Sequence, residues 1–134
     1  MIQTKDSKKA LIASCLLAML ATILGAFAAH ALKNTLTTYQ QDIFHTGVFY
    51  QFVHSLALFG VGLALLHYNS SLIKLAGNLF LLGTILFSGS LYALTFIKLK
   101  WIGIVTPIGG LCFILGWLLL AVGIYTSKVH ENGN

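Results

Sequence analysis

Apolar residues run along this chain in four long blocks separated by short polar breaks. The blocks fall at about 10–32, 47–67, 73–96 and 102–126, and the one charged residue inside them is Lys74, at the edge of the third. A bilayer core of about 30 Å needs about 20 apolar residues in helical form. Lipid offers no hydrogen bonds to a backbone, so each block predicts a spanning helix. The breaks at Asn69-Ser70-Ser71 and Lys98-Leu99-Lys100 are short. Connections of that length place consecutive helices side by side and antiparallel. The break at 33–46 is longer. Leu36, Tyr39, Ile43 and Gly47 recur there at helical steps, and Thr37-x-x-Gln40 and Thr38-x-x-Gln41 both carry a capping-box pattern. This predicts a short amphipathic helix lying at the interface between helices one and two, with an ordered loop as the alternative. The expected fold is all-α: a single transmembrane domain over 1–134, folded as an up-down antiparallel four-helix bundle.

Leucine is no more apolar than a lipid tail, so close backbone approach and buried hydrogen bonds must hold such helices together. Small residues should therefore line one face of each. Ser14, Ala18, Ala21, Thr22, Gly25, Ala28 and Ala29 form such a stripe in the first block. Gly47, Gln51, His54, Ser55 and Gly62 share a face of the second; Gly77, Thr84, Ser88 and Thr95 follow one side of the third. In the fourth, Gly109, Gly116 and Gly123 fall at seven-residue steps with Cys112 between them, a spacing that keeps a seam in register along a left-handed crossing. Bulky Phe, Leu and Ile are then expected to face lipid. Gly83 and Ser90 lie off the main stripes and are expected to offer a second packing face.

Composition agrees with this reading. Hydrophobic residues make up 57% of the chain and charged residues 8%, with a mean hydropathy of +0.88. A soluble domain carries about 25% charge. Two cysteines give no disulfide framework, and the aliphatic content excludes disorder. The net charge of +5 comes from lysines that flank the blocks, which is a topology signal and not a nucleic-acid one. Lys5, Lys8, Lys9, Lys74 and Lys128 fall on the side of the termini; Lys33, Lys98 and Lys100 fall on the other. This bias favours a cytoplasmic location for both termini. The lysine cluster, the apolar stretch and Ala26-Phe27-Ala28 imitate a cleaved signal peptide, but about 23 apolar residues suit a retained span better. The Ile12-Ala13-Ser14-Cys15 run resembles a lipoprotein box, yet too few apolar residues precede it. Cys15 and Cys112 are read as small packing residues.

Intramembrane polar side chains are costly and mark candidate chemistry. The candidates are His30, Tyr50, Gln51, His54, Thr84, Ser88, Ser90, Tyr92 and Thr106, and the topology sends most of them to the leaflet opposite the termini. Asn78 is the exception and falls in the other leaflet. Tyr50, Gln51 and His54 are neighbours on a helix surface, which predicts a hydrogen-bonded cluster facing Ser88 or Thr84. That cluster reads as an interhelical clamp, with a ligand or proton site and a metal or haem ligand as alternatives. His30 is read as an interfacial histidine whose tip reaches water; pairing with His54 as two axial haem ligands is the alternative. Pro107 falls in the opening turns of the fourth helix, where a missing N–H does least harm. Gly109 and Gly110 follow it, giving either a close-packed helix start or N–H groups open to an anion. No motif demands a cofactor or a metal, and none identifies an enzyme.

Four segments carry a family resemblance. GAFAAHAL at 25–32, HTGVFYQFVHSLALF at 45–59, LFSGSLYAL at 86–94 and TPIGGLCFILGW at 106–117 together resemble the YgdD-type family of small bacterial inner-membrane proteins, which has eukaryotic transmembrane relatives. Ala28 stands where that family often has glycine, and Phe44 where it often has tryptophan. The resemblance implies a retained first helix and an inner-membrane location, and it implies no activity. The bilayer is the expected partner, with a second copy or a larger membrane protein as candidates. Three functions stay open: a structural or interaction protein, an oligomeric permease or channel component with a polar site in the leaflet opposite the termini, and a histidine-based haem or redox protein.

Overall fold

The computed structural model describes residues 4–97 and 100–127. Within them α1 covers Lys5–His30 and α2 covers Thr38–Ala64. The third helix, α3, runs over Ser71–Phe96 and is interrupted by one π-helical turn at Thr84–Ser88. A 3₁₀ turn at Lys100–Ile104 leads into α4, Val105–Thr126. All four helices are long and apolar enough to cross a membrane.

The boundaries follow from local chemistry. Thr4 caps α1 and exchanges hydrogen bonds with Ser7, both at 3.1 Å. Thr37 caps α2 in a capping box with Gln40, one of the two pairs anticipated. The other pair does not form. Gln41 Nε2 instead donates to the Lys33 and Leu36 carbonyls at 2.9 and 3.0 Å, closing the connection from α1. No separate interfacial helix stands between α1 and α2 among the described residues: residues 38–46 are the opening turns of α2. Nothing in Thr38–Thr46 breaks a helix, and propagation from a capped nucleus is favourable. Tertiary contacts hold these turns in place. Gln40 Nε2 donates to the Thr95 carbonyl at 2.8 Å, and Phe44 is buried with its ring 5.0 Å from that of Tyr92.

Close approaches at glycine show that neighbouring helices run antiparallel. Gly62 meets Leu11 and Gly25 meets Val48, pairing α1 with α2. Gly77 meets Val61 and Gly47 meets Tyr92, pairing α2 with α3. Along α4, Gly109 lies on Phe87, Gly116 on Phe80 and Gly123 on Ile73. Both sides of that last seam step by seven residues. Ser7, Ser14, Ala21 and Ala28 make a second seven-step line, buried along α1.

The helices do not share burial equally. In its most apolar window α2 is 44% buried while α1 is 11% buried, so α2 is the inner helix and α1 the outer one. At the N-terminal ends of α1 and α3, Lys74 Nζ lies 3.1 Å from the Asp6 carboxylate. Many large residues face outward as expected, including Ile12, Leu16, Met19, Ile114 and Leu118. Others do not. Ile73, Phe80 and Phe113 are buried because glycines opposite them leave room for their bulk. Gly83 and Ser90 are also enclosed, against Phe113 and Thr106 of α4, so the second packing face they provide is taken up within the bundle.

The seam predicts a contrast between two glycines. A Cβ at Gly109 would collide with the Phe87 backbone, whereas at Gly60 nothing lies within 4 Å. Gly109→Ala should lower stability by about 2 kcal/mol, the usual scale of overpacking. Gly60→Ala should leave it unchanged or raise it by up to about 1 kcal/mol. Unfolding in mixed micelles measures both.

Candidate functional site

The candidate polar residues inside the bundle fall into three groups. The first is centred on Gln51, the middle residue of α2. Its Nε2 donates to the Leu17 carbonyl at the middle of α1 at 2.9 Å, and its Oε1 accepts from the Tyr92 hydroxyl of α3 at 2.8 Å. One amide thus joins three helices. Ser55 Oγ donates to the Gln51 carbonyl at 2.6 Å, and Ser88 Oγ donates to the Gly47 carbonyl at 2.7 Å. Gly47 lets α3 come close there, with the Tyr92 ring and Leu91 Cβ where a side chain would stand.

The second group surrounds His54. The Trp117 indole N–H donates to Nε2 at 3.2 Å, and Nδ1 lies 2.9 Å from the Tyr50 carbonyl. An indole N–H only donates, so Nε2 must present its lone pair and Nδ1 must carry the proton. The ring is therefore neutral, with both nitrogens engaged. Phe113 stacks on it at a centroid distance of 3.5 Å and an interplanar angle of 8°. Phe80 approaches at 5.6 Å, and Tyr50 stacks more distantly at 6.0 Å.

The third group joins α3 to α4. Ser90 Oγ donates to the Phe87 carbonyl at 2.8 Å and lies 2.6 Å from Thr106 Oγ1. Since the serine proton is committed to the carbonyl, Thr106 is the donor in the second bond. Thr84 Oγ1 donates to the Phe80 carbonyl at 2.8 Å, at the start of the π-helical turn. Such turns often occur at functional sites. Here the turn carries Ser88 to α2 and Phe87 to α4.

The predicted cluster is therefore divided. Gln51 and Ser88 serve the α1–α2–α3 side. His54 turns towards α4, and Tyr50 is partly exposed with its ring 4.5 Å from that of Phe87. Gln51 and His54 lie near the middle of α2 and not in its outer part, because that helix begins at Thr38. His30 is exposed in the last turn of α1 and is not brought to His54. Pro107 is exposed in the first turn of α4, and Gly109 and Gly110 are packed on Phe87. The sequence reading missed Trp117, Phe113 and the Leu17 carbonyl. An indole at helical spacing among Phe113 and Gly116 was the available signal for the first two; a backbone acceptor leaves none.

No buried side-chain nitrogen or oxygen among the described residues lacks a hydrogen-bond partner. No group of three or more His, Cys, Asp or Glu residues that could hold a metal occurs among them either. An axial haem ligand needs a ring lone pair, and that of His54 is taken by Trp117. These residues do not fit a haem.

Four apolar helices with a closed polar interior define a small multi-pass membrane protein. The comparisons specify the class further. The family model described as "Protein of unknown function (DUF423)" matches residues 24–110, and this chain belongs to that family. A UPF0382 membrane protein of Haemophilus influenzae is 44% identical over 105 residues, covering 78% of this chain and 84% of the relative. The UPF0382 inner membrane protein YgdD of Escherichia coli is 40% identical over 105 residues, covering 78% and 80%. A UPF0382 membrane protein of Staphylococcus saprophyticus is 38% identical over 115 residues, covering 86% and 95%. None of these names assigns an activity. No solved structure matches the chain.

The shared amide yields a measurable coupling. Tyr92→Phe leaves Gln51 Oε1 without its partner, whereas Gln51→Leu removes both bonds together. A double-mutant cycle in micelles should give a Tyr92–Gln51 coupling of about 0.6 kcal/mol, with about 1.7 as the upper end for membrane hydrogen bonds. A coupling of zero would remove this bond from the account of the bundle.

Proposed function

We propose that this protein is a structural or interaction component of the bacterial cytoplasmic membrane, packing with a second copy or a larger membrane protein through the outer side of α1. The observation that carries this reading is the contrast between a saturated interior and the open outer side of the first helix. The interior polar groups bond one another or the backbone. A permeation path needs polar groups turned to a lumen, and a catalytic site needs one held ready; neither is left among them. By contrast, α1 is only 11% buried in its most apolar window. Its outward side carries Cys15, Ala18 and Thr22 at helical steps, beside a shallow depression lined also by Ser55, Leu56 and Phe59. Small residues of this kind allow another helix to come close.

The native Cys15 provides the test. In a Cys112→Ser background, mild oxidation of intact membranes should give a disulfide-linked dimer that disappears on Cys15→Ser, or a cross-linked band with a larger membrane protein. Recovery of the monomer alone, both after oxidation and after mild detergent extraction, overturns the proposal.

We further propose that both termini face the cytoplasm. The five-to-three lysine bias supports this orientation, and the strong Lys5, Lys8 and Lys9 flank of α1 adds to it. In a cysteine-free background, an impermeant thiol reagent applied to the periplasmic side should label a cysteine at Asn34 and spare one at Asn69. The reverse pattern inverts the orientation.

A further inference from the structure

Polarity at the terminal end of the bundle is arranged differently from that in its interior. A cleft of about 410 Å³ opens there between α1, α2 and α3. Here α1 and α3 both pack on α2, and the Asp6–Lys74 pair bridges them at the mouth of the cleft. Asp6, Lys9 and Lys74 line its mouth; Asn78 lies one helical turn further in along α3; Leu58 and Val61 of α2 form the apolar floor. Descending α1 from Asp6 to Ala13, or α3 from Lys74 to Leu81, covers roughly 10 Å at 1.5 Å per residue. Over that depth the lining passes from charged to amide to hydrocarbon.

Two further observations bear on what fills the cleft. Asp6 and Lys74 form the one ion pair found among the described residues. Lys9 has no such partner there, so the mouth keeps a net positive charge. Asn78 is exposed inside a spanning helix, and its amide bonds to no described residue. An amide facing hydrocarbon is costly. No buried side-chain nitrogen or oxygen among the described residues lacks a partner, so Asn78 is an exception that a polar ligand group would resolve.

We infer that this cleft binds one anionic phospholipid from the leaflet on the side of the termini. The headgroup phosphate sits on Lys9 beside the Asp6–Lys74 pair. The Asn78 amide donates to the ester carbonyls one turn deeper. An acyl chain then follows Val61 and Leu58 into the bilayer. A lipid is the occupant whose charge, amide-accepting groups and hydrocarbon occur in this vertical order. A water-soluble anion would leave the apolar floor uncovered, and a second copy of α1 would bring further lysines to a mouth that is already positive.

Native mass spectrometry of the full-length protein with added phosphatidylglycerol or phosphatidylcholine tests this inference. The wild type should retain one phosphatidylglycerol in preference to phosphatidylcholine. Lys9→Gln should weaken retention of phosphatidylglycerol about fivefold, the size expected for one lysine at an anionic surface. Lys8→Gln removes the same charge outside the cleft and should change retention less than about twofold, well under that single-lysine effect. Asn78→Leu should weaken both lipids' retention without lowering the helix content seen by circular dichroism. Equal losses for Lys8→Gln and Lys9→Gln would reduce the effect to diffuse charge and overturn the site. So would equal retention of the two lipids, or a lipid-free dimer that Lys9→Gln dissociates.

Discussion

Close backbone approach along the α3–α4 seam is the constraint on which the rest of the structure depends. Gly109, Gly116 and Gly123 remove side chains from one line of α4, and Phe87, Phe80 and Ile73 occupy the space they leave. In water the burial of two phenylalanines would itself drive this docking. In a bilayer it does not, because the alternative surroundings are equally apolar. The gain has to come from better contact than lipid chains can make, and contact of that quality requires the two backbones to lie near each other. The seam also fixes the rotation of α3. With Phe80 and Phe87 directed at α4, Ser88 and Tyr92 are directed at α2, where Gly47 and Gln51 receive them.

The polar bonds add orientation to that contact. A hydrogen bond in a membrane is worth little on average, because the separated helices find other partners. Its value here is directional. Gln51 can satisfy both ends of its amide only if the middle of α1 and the outer part of α3 are both at the right distance from α2. His54 can accept from Trp117 and donate to Tyr50 only in one tautomer and one ring orientation, and the stacked Phe113 holds that orientation. Packing brings the helices together, and these bonds select one register among several that packing alone would allow.

Much of this was legible in the sequence, and the limits of legibility are physical. The four spans and the glycine lines could be read because each is a periodic property of a single helix. The capping box at Thr37 and Gln40 could be read because it is local. Its consequence was harder to see. The sequence places a short interfacial helix before Gly47, but nothing between Thr38 and Thr46 stops a helix once Thr37 has started it. Pairings across helices were read least well. The polar faces suggested one cluster around His54, yet the partner of Gln51 on α1 is a backbone carbonyl that no sequence pattern marks. The π-helical turn at Thr84–Ser88 is likewise silent in an apolar run, although it sets which way Phe87 and Ser88 point. Phe80 and Ile73 looked like lipid-facing bulk until the glycines opposite them were seen to form their sockets.

The same constraint explains why the two ends of the bundle differ. Where small residues lie opposite one another, helices close and polar groups must be satisfied inside, as Ser88 is by the Gly47 carbonyl. Between α1 and α3 at the terminal end a gap remains. There Ala10 and Ala13 of α1 and Gly77 of α3 line the cleft, and what bridges the two helices is the ion pair of Asp6 with Lys74, each side chain part-exposed. A partly solvated ion pair is a weak tie. It crosses the mouth of the cleft on whose wall Asn78 stands. The open amide and the closed interior are therefore two results of one arrangement: glycines bring α3 close to both α2 and α4, and Gly25 and Gly62 bring α1 close to α2, while an ion pair bridges α1 and α3 across the cleft.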